Sequence, residues 1–427
     1  MNIYFSGIGG VGIGPLAEIA HDAGYSVQGS DAAESLVTRE LRQRGIAIMI
    51  GQDGRFLHNS HGQTPIDWFV YTAALPADHP ELVLAKQLGI KTAKRDELLA
   101  HIIAEKNLQL IAVAGTHGKT TTTGMMVWTM QQLGIPVSYS VGSTLSFGPS
   151  GKFDPASQYF VYECDEFDRN FLHFQPHLSL ITSIDYDHPD TYPTAGEYMA
   201  AFRQFVDQSD MAIMWQPDGA QITATADDGW ILAPDEVVDL QLPGAHNRRN
   251  ATLVAKAIEY LKTAPARVTP GGATGPADIA HILEQFPGTD RRFEKLADNL
   301  YSDYGHHPVE IAAMLQLARE LSDEVVLIYQ PHQNVRQHEV RAQYTNQFEL
   351  AETVYWLPTH LSREDPNLRI LTPDELIDNI TNHDQIHLAE LDDQLWQYIQ
   401  NARNDGKLVL CMGAGSIDGW LREKISI

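Results

Sequence analysis

Three times in 427 residues a short apolar run ends in closely spaced glycines and passes into a new segment. Asn2 to Ser6 leads through Gly7-Ile8-Gly9-Gly10-Val11-Gly12 into an amphipathic run from Pro15 to Ala23. Leu108 to Ala114 leads through Gly115-Thr116-His117-Gly118 into a helical pattern from Lys119 to Leu133. Lys407 to Met412 leads into Gly413-Ala414-Gly415. Strands alternating with helical runs, joined by right-handed crossovers, build mostly parallel α/β sheets with flanking helices. At roughly 150 residues per domain, the length suits three such units. Breaks at Ala104-Glu105-Lys106-Asn107 and Pro287-Gly288-Thr289 place them at 1–106, 107–287 and 288–427, with Pro265 to Pro276 as a surface loop.

Charge and cysteine content narrow the class. Lys and Arg total 30 against 55 Asp and Glu, a net charge of −25. So acidic a surface opposes general binding to nucleic acid or to anionic membranes, yet leaves room for phosphate held by backbone N–H groups. Two distant cysteines, Cys164 and Cys411, make neither a disulfide framework nor a Cys-rich zinc site. With no signal-peptide pattern at Met1-Asn2-Ile3-Tyr4-Phe5 and no apolar run of roughly 20 residues, a cytoplasmic protein is expected.

The loop Gly115-Thr116-His117-Gly118-Lys119-Thr120 follows a strand and opens a helix. Its N–H groups can wrap phosphate oxygens, Lys119 can neutralise them, and the Thr120 hydroxyl can hold Mg²⁺. The strict form of this loop wants glycine where Val113 stands, so the loop is short, and a plain strand-to-helix turn with a capping Thr is the competing reading. Two further strands end in acidic groups: Tyr159 to Tyr162 before Glu163-Cys164-Asp165-Glu166, and Leu178 to Ile184 before Asp185-Tyr186-Asp187-His188. Carboxylates at the carboxyl ends of parallel strands face the crevice that a phosphate loop occupies, which makes Thr120 and Glu163 a sensible Mg²⁺ site, with His188 placed to ligate a second ion or to orient a water.

Gly7-x-Gly9-x-x-Gly12, with Asp31 about 20 residues on, fits a dinucleotide fingerprint. Its physical content is broader: a diphosphate on a helix N-terminus and a ribose near an acid. NAD has both features, and so has a UDP-sugar.

Taken in order, these segments resemble the Mur ligases of peptidoglycan synthesis over nearly the whole chain. The marks are Gly7 to Gly12 with Gly29-Ser30-Asp31; Tyr71-Thr72-Ala73-Ala74; Gly115 to Thr122; Glu163 to Glu166; and Asp185 to Tyr192. They continue with Gly244-Ala245-His246-Asn247-Arg248-Arg249-Asn250, Arg291-Arg292-Phe293, Asp303-Tyr304-Gly305-His306-His307-Pro308 and Gln330-Pro331-His332. The resemblance implies a Rossmann-like UDP-sugar domain, a P-loop ATPase-like central domain and a Rossmann-like carboxyl-terminal domain for the incoming amino acid. It implies ATP and Mg²⁺ as cofactors, and UDP-N-acetylmuramate and L-alanine as small-molecule substrates of a monomer or dimer. The carboxylate would attack the γ-phosphate, and the amine would then attack the resulting acyl phosphate.

By the same resemblance, Lys119, His188, Arg292 and Tyr304 are the catalytic candidates. Gly115, Thr116, Gly118, Lys119, Thr120, Thr121, Asn247, Asn250, Arg291, Arg292 and Asp303 would contact ATP. Gly9, Gly10, Val11, Gly12, Asp31, Thr72, Thr116, His117, His306, His307 and His332 would contact the substrates, and Thr120, Glu163 and His188 the metal. Four departures from the family pattern stand out: Ser183 for Asn, Asp290 for Gly, Val309 for Thr, and Gln333-Asn334-Val335-Arg336 where an aromatic-Thr-Arg run is expected. The last lies on the amino-acid side, so a sibling ligase that reattaches murein tripeptide is a rival. Mur-like ligases acting on another carboxylate, and a NAD-dependent oxidoreductase, are more distant ones.

Overall fold

The structure is a computed structural model. It describes the chain apart from residues 73, 74, 189, 190, 226, 228, 264–274, 363 and 427. Parts of the Tyr71-Thr72-Ala73-Ala74 and Asp185 to Tyr192 motifs, and most of the Pro265 to Pro276 loop, therefore lie outside the described residues.

Three sheets carry the fold. The first contains β1 (Asn2–Ser6), β2 (Ser26–Asp31), β3 (Ala47–Ile50), β4 (Trp68–Tyr71) and β5 (Lys91–Lys94), in the order β3-β2-β1-β4-β5. Its strand pairs are parallel. The second contains β6 (Gln109–Ala114), β7 (Val137–Ser140), β8 (Gly151–Lys152), β9 (Tyr159–Glu163), β10 (Leu178–Ile181), β11 (Ala212–Trp215) and β12 (Gly229–Leu232). Its order is β12-β11-β10-β6-β9-β7-β8, antiparallel only between β7 and β8. The third contains β13 (Glu294–Ala297), β14 (Leu300–Asp303), β15 (Val325–Tyr329), β16 (Thr353–Trp356), β17 (Ile386–Leu388) and β18 (Leu408–Met412). Its order is β13-β14-β18-β15-β16-β17, antiparallel only between β13 and β14.

The expected strands recur with small changes at their ends. One is a correction: the expected strand from Leu178 to Ile184 stops at Ile181. The Thr182 N–H makes one last bond to the Ala114 carbonyl, its hydroxyl bonds the carbonyls of Ala114 and His117, and the Ser183 carbonyl accepts the Thr116 N–H in place of a ladder partner. The strand end is thus spent on holding the phosphate loop.

By packing, the chain forms two units. One spans residues 1–237 and 251–286, the other 238–250 and 287–427. In the first unit a single apolar cluster joins Phe5, Leu16 and Leu98 of the first sheet's layer to Phe160, Phe171 and Phe202 of the second. In the second unit, Tyr329, Tyr344, Phe348 and Trp356 pack ring against ring under the third sheet.

Under the first glycine turn lies a polar knot. The buried Glu81 carboxylate accepts from Tyr4 Oη (2.7 Å), Ser6 Oγ (2.6 Å) and Ser30 Oγ (2.6 Å). The Ser30 carbonyl in turn accepts the N–H groups of Gly7 and Ile8. One carboxylate therefore fixes β1, β2 and the start of the turn. Removing it leaves three hydroxyls without their acceptor in a site that excludes water. Glu81→Ala is expected to lower unfolding stability by about 2–4 kcal/mol in urea titration, whereas Glu34→Ala, on the surface, stays within about 0.5 kcal/mol.

Candidate active site

The phosphate loop is built by close backbone approach. Gly115 (φ +137°) lies against β10's exit, where a Cβ would sit 2.3 Å from Thr182 Oγ1 and 2.8 Å from the Ser183 carbonyl. Gly118, at φ +83°, opens the helix Lys119–Gln132, with Thr120 and Thr121 in its first turn. The His117 N–H donates to Ser183 Oγ at 3.0 Å, so serine serves the loop at the position where the family pattern has asparagine. Thr116 Oγ1 lies 2.8 Å from the Asp185 carbonyl and 2.8 Å from Tyr198 Oη.

Lys119 does not point to open solvent. Its ammonium donates to the Gly115 carbonyl (2.6 Å) and to both oxygens of Glu166 (2.8 and 3.1 Å). Glu166 is fully buried. Burial alone would pull the lysine pKa down, but Glu166, Asp165 and Glu163 outweigh it and raise it. Burial likewise favours protonated Glu166, yet Lys119 and His188 hold it below its ordinary value. The pair is ionised on both sides. Tyr192 Oη donates to the Glu166 carbonyl at 2.6 Å, which fixes the carboxylate's own backbone.

Two oxygen-rich groups adjoin the lysine. Glu163 accepts from Thr120 Oγ1 (2.8 Å) and from the Gly142 N–H (2.7 Å). Asp165, Glu166 and His188 bring potential ligand atoms within 4.8 Å of one another. His188 Nε2 lies 3.7 Å from Glu166 and 3.9 Å from Asp187. Desolvation opposes the His188 charge, but Glu166 and Asp187 raise its pKa overall, and burial beside Glu166 raises that of Asp165. Hard oxygen donors around a phosphate loop suit Mg²⁺. Of the residues expected at the metal, Thr120 and Glu163 are hydrogen-bonded to each other, and His188 lies with Asp165 and Glu166. Asp165, Glu166 and Tyr198 were missed as site residues because nothing in the local sequence separates a lysine's partner from a solvated acid.

At the first turn, the Gly9 N–H donates to Asp31 Oδ2 at 2.7 Å. Gly10 closes the turn on the Gly7 carbonyl, Thr72 lies beside Gly7, and Val11 stands 92% exposed. A Cβ on Gly12 would sit 3.1 Å from an Arg95 terminal nitrogen.

In the second unit the two arginines part company. Arg291 donates to the Gly413 carbonyl at 2.9 Å and lies 3.5 Å from Asp418, while both guanidinium groups lie over the Tyr304 ring. Asp303 is buried and accepts from Phe293 N–H (2.8 Å) and Gly305 N–H (2.6 Å). His307 caps the helix Pro308–Leu321, its side-chain Nδ1 accepting the Val309 N–H at 3.4 Å. His306 packs edge-on to His332 at 5.5 Å and bonds Arg336. Asn247 Nδ2 donates to the Pro243 carbonyl at 3.0 Å, and Asn250 is buried one turn along the same helix.

Sheets, loop and paired ions together define an α/β enzyme built to handle a nucleotide's phosphates. Family models match in chain order: the Mur ligase family catalytic domain over residues 2–107, the Mur ligase middle domain over 113–230 and the Mur ligase glutamate ligase domain over 291–415. A UDP-N-acetylmuramate–L-alanine ligase of Novosphingobium aromaticivorans is 32% identical over 98% of this chain and 95% of its own. One of a Nocardioides species is 32% identical over 97% and 93%. Among solved structures, a UDP-N-acetylmuramate-alanine ligase of Thermotoga maritima superposes with a TM-score of 0.75 at 24% identity, covering 100% of this chain and 98% of that one. A murein peptide ligase of Psychrobacter arcticus does so with 0.63 at 22%, again covering 100% and 98%. The chain belongs to the Mur ligase family and is an ATP-dependent ligase.

Two outcomes check these environments. Lys119→Met alone strands a buried carboxylate and should destabilise by about 3–5 kcal/mol, whereas the double variant Lys119→Met/Glu166→Gln should recover at least half of that in urea titration. Burial raises the Asp303 pKa from 3.8 to about 6 in the folded protein, so its contribution is full below pH 4 and is lost as the pH rises through 6. Relative to Asp303→Asn, the wild type should therefore lose on the order of 2–3 kcal/mol of stability between about pH 4 and pH 7.

Proposed function

We propose that this ligase joins L-alanine to the carboxylate of UDP-N-acetylmuramate, at the expense of ATP, in the cytoplasm. The observation that carries the reading is the part-buried, charged Lys119 at the head of a phosphate loop, in a chain 32% identical along 98% of its length to a ligase of that name. No described helix is long and apolar enough to cross a membrane.

The chemistry explains the residue types. Attack of one anion, the muramyl carboxylate, on another, the γ-phosphate, needs positioning and charge neutralisation more than a covalent nucleophile. The loop N–H groups from Gly115 to Thr121 cradle the phosphates, and Lys119 follows the γ-phosphate as it moves. Thr120 and Glu163 would hold one Mg²⁺, and Asp165, Glu166 and His188 a second, which would supply neutralisation of phosphate charge. The first glycine turn with Asp31 and Thr72 holds the UDP portion, and Thr116 and His117 face the muramyl group. Residues 1–106, 107–287 and 288–427 act as UDP-sugar, ATP and amino-acid domains. Of the two arginines, Arg291 is engaged by Gly413 and Asp418, and Arg292 is the ATP-side candidate. Asn247, Asn250 and Asp303 serve the nucleotide; Tyr304, His306, His307 and His332 serve the reacting groups and the amine.

Phosphate release is to be measured with ATP, Mg²⁺ and UDP-N-acetylmuramate, scanning L-alanine, glycine, L-serine and murein tripeptide. Release that depends on both the UDP-sugar and L-alanine is expected. Release with tripeptide alone would reassign the chain to the recycling reaction, and none with any acceptor would sink both. Lys119→Ala should lower turnover by at least about 10³-fold and leave UDP-sugar binding by calorimetry largely intact.

A further inference from the structure

In open α/β sheets, ligands sit beyond the carboxyl ends of the strands, near the point where strand order reverses. In the third sheet the chain leaves β14 at Asp303, β15 at Tyr329, β16 at Trp356 and β18 at Met412, and β18 lies between β14 and β15. Three of those exits carry an imidazole: His306 after β14, His332 after β15 and His360 after β16. His360 belongs to none of the motifs that carry the family resemblance.

Its geometry is tightly specified. The His360 N–H donates to the Pro331 carbonyl at 2.8 Å, and its own carbonyl accepts the Gln333 N–H at 2.9 Å. The His360 ring lies flat on that of His332, 5.5 Å between centroids and 9° between planes. The turn after β18 closes from another side, where a Cβ on Gly415 would sit 2.6 Å from His360 Cβ and Cγ. Gln333, the residue bonded to His360, has φ +57° and ψ +121°, a conformation that persists only where the surroundings enforce it. Gln333 also begins the run in which this chain departs from the family's aromatic-Thr-Arg pattern. A metal role is not favoured: among the described residues, the group whose ligand atoms converge is Asp165, Glu166 and His188, not these histidines.

We infer that His360 is a specificity-determining residue for the incoming amine, its stack on His332 forming a rigid wall that admits a small side chain and turns away larger ones. The inference rests on the reading of this unit as the amino-acid domain. It assigns the aromatic face that the altered run after His332 lacks to a strand exit about 30 residues further on.

The test is the ratio of kcat/KM for L-alanine to that for L-valine, with glycine and L-serine alongside, in the full chain at saturating ATP, Mg²⁺ and UDP-N-acetylmuramate. His360→Ala should shrink the alanine-to-valine ratio by about tenfold or more, the range a methylene or two commands in an apolar pocket, with KM for ATP and the UDP-sugar within about twofold of wild type. His360→Phe, which keeps a flat ring on His332, should hold the ratio within about threefold of wild type. An unchanged ratio in His360→Ala, or an equal fall for every acceptor, overturns the inference, and so does a His360→Phe that behaves as His360→Ala. Wild type that releases no phosphate with any single amino acid overturns the parent reading, and His360's role with it. Wild-type turnover with unmoved ratios removes His360 alone.

Discussion

The pair formed by the part-buried Lys119 and the buried Glu166 is the constraint around which the first unit is arranged. Two opposite charges removed from water must satisfy each other and their remaining hydrogen-bonding capacity, or the fold loses more than it gains. Lys119 does so with Glu166 and the Gly115 carbonyl. Glu166 has the lysine on its carboxylate and Tyr192 on its backbone carbonyl. Those groups come from three places in the chain, so the loop, the segment after β9 and the segment after β10 must meet in one arrangement. Burial opposes the His188 charge, but the acidic crowd near the lysine raises its pKa and brings its imidazole into the same charge system.

A second carboxylate, Glu81, does comparable work at the first sheet without any cation. Three hydroxyls converge on it and pass its position to the glycine turn through the Ser30 carbonyl. The two glycine loops of the first unit are thus held by opposite means. One is fixed by an ion pair and is suited to charge that moves during a reaction. The other is fixed by neutral donors and is suited to a diphosphate that stays where it binds. The second unit uses a third means, a row of rings from Tyr304 through His306 and His332 to His360 along the strand exits. Rings specify shape more than charge, which suits the amine-selecting role proposed for this unit.

Much of the frame is legible in the chain itself. Apolar strands of five or six residues ending at glycine announced β1, β6 and β18 to within a residue, because strand period and turn geometry are local properties. The strand at Leu178 was overread by three residues, since Thr182 and Ser183 are as compatible with a ladder as with a loop clamp. The Lys119-Thr120 pair and the Thr120–Glu163 contact followed from residue type and from the rule that parallel strands aim their carboxyl ends at one crevice.

What the sequence determined by itself was the class of architecture, the position of the phosphate loop and the chemistry its side chains can perform. The tertiary structure decided which acid answers which base. Glu163, Asp165 and Glu166 are near neighbours at a strand end, where the alternation that assigns faces has already lapsed. Only the placement of β9 beside β6 puts Glu166 on a lysine 47 positions away and leaves Glu163 to Thr120. The same holds for His360, whose partner is reached across a parallel pair of strands: no spacing in a chain records which exits of a sheet stand side by side, because strand order is set by packing and not by sequence distance.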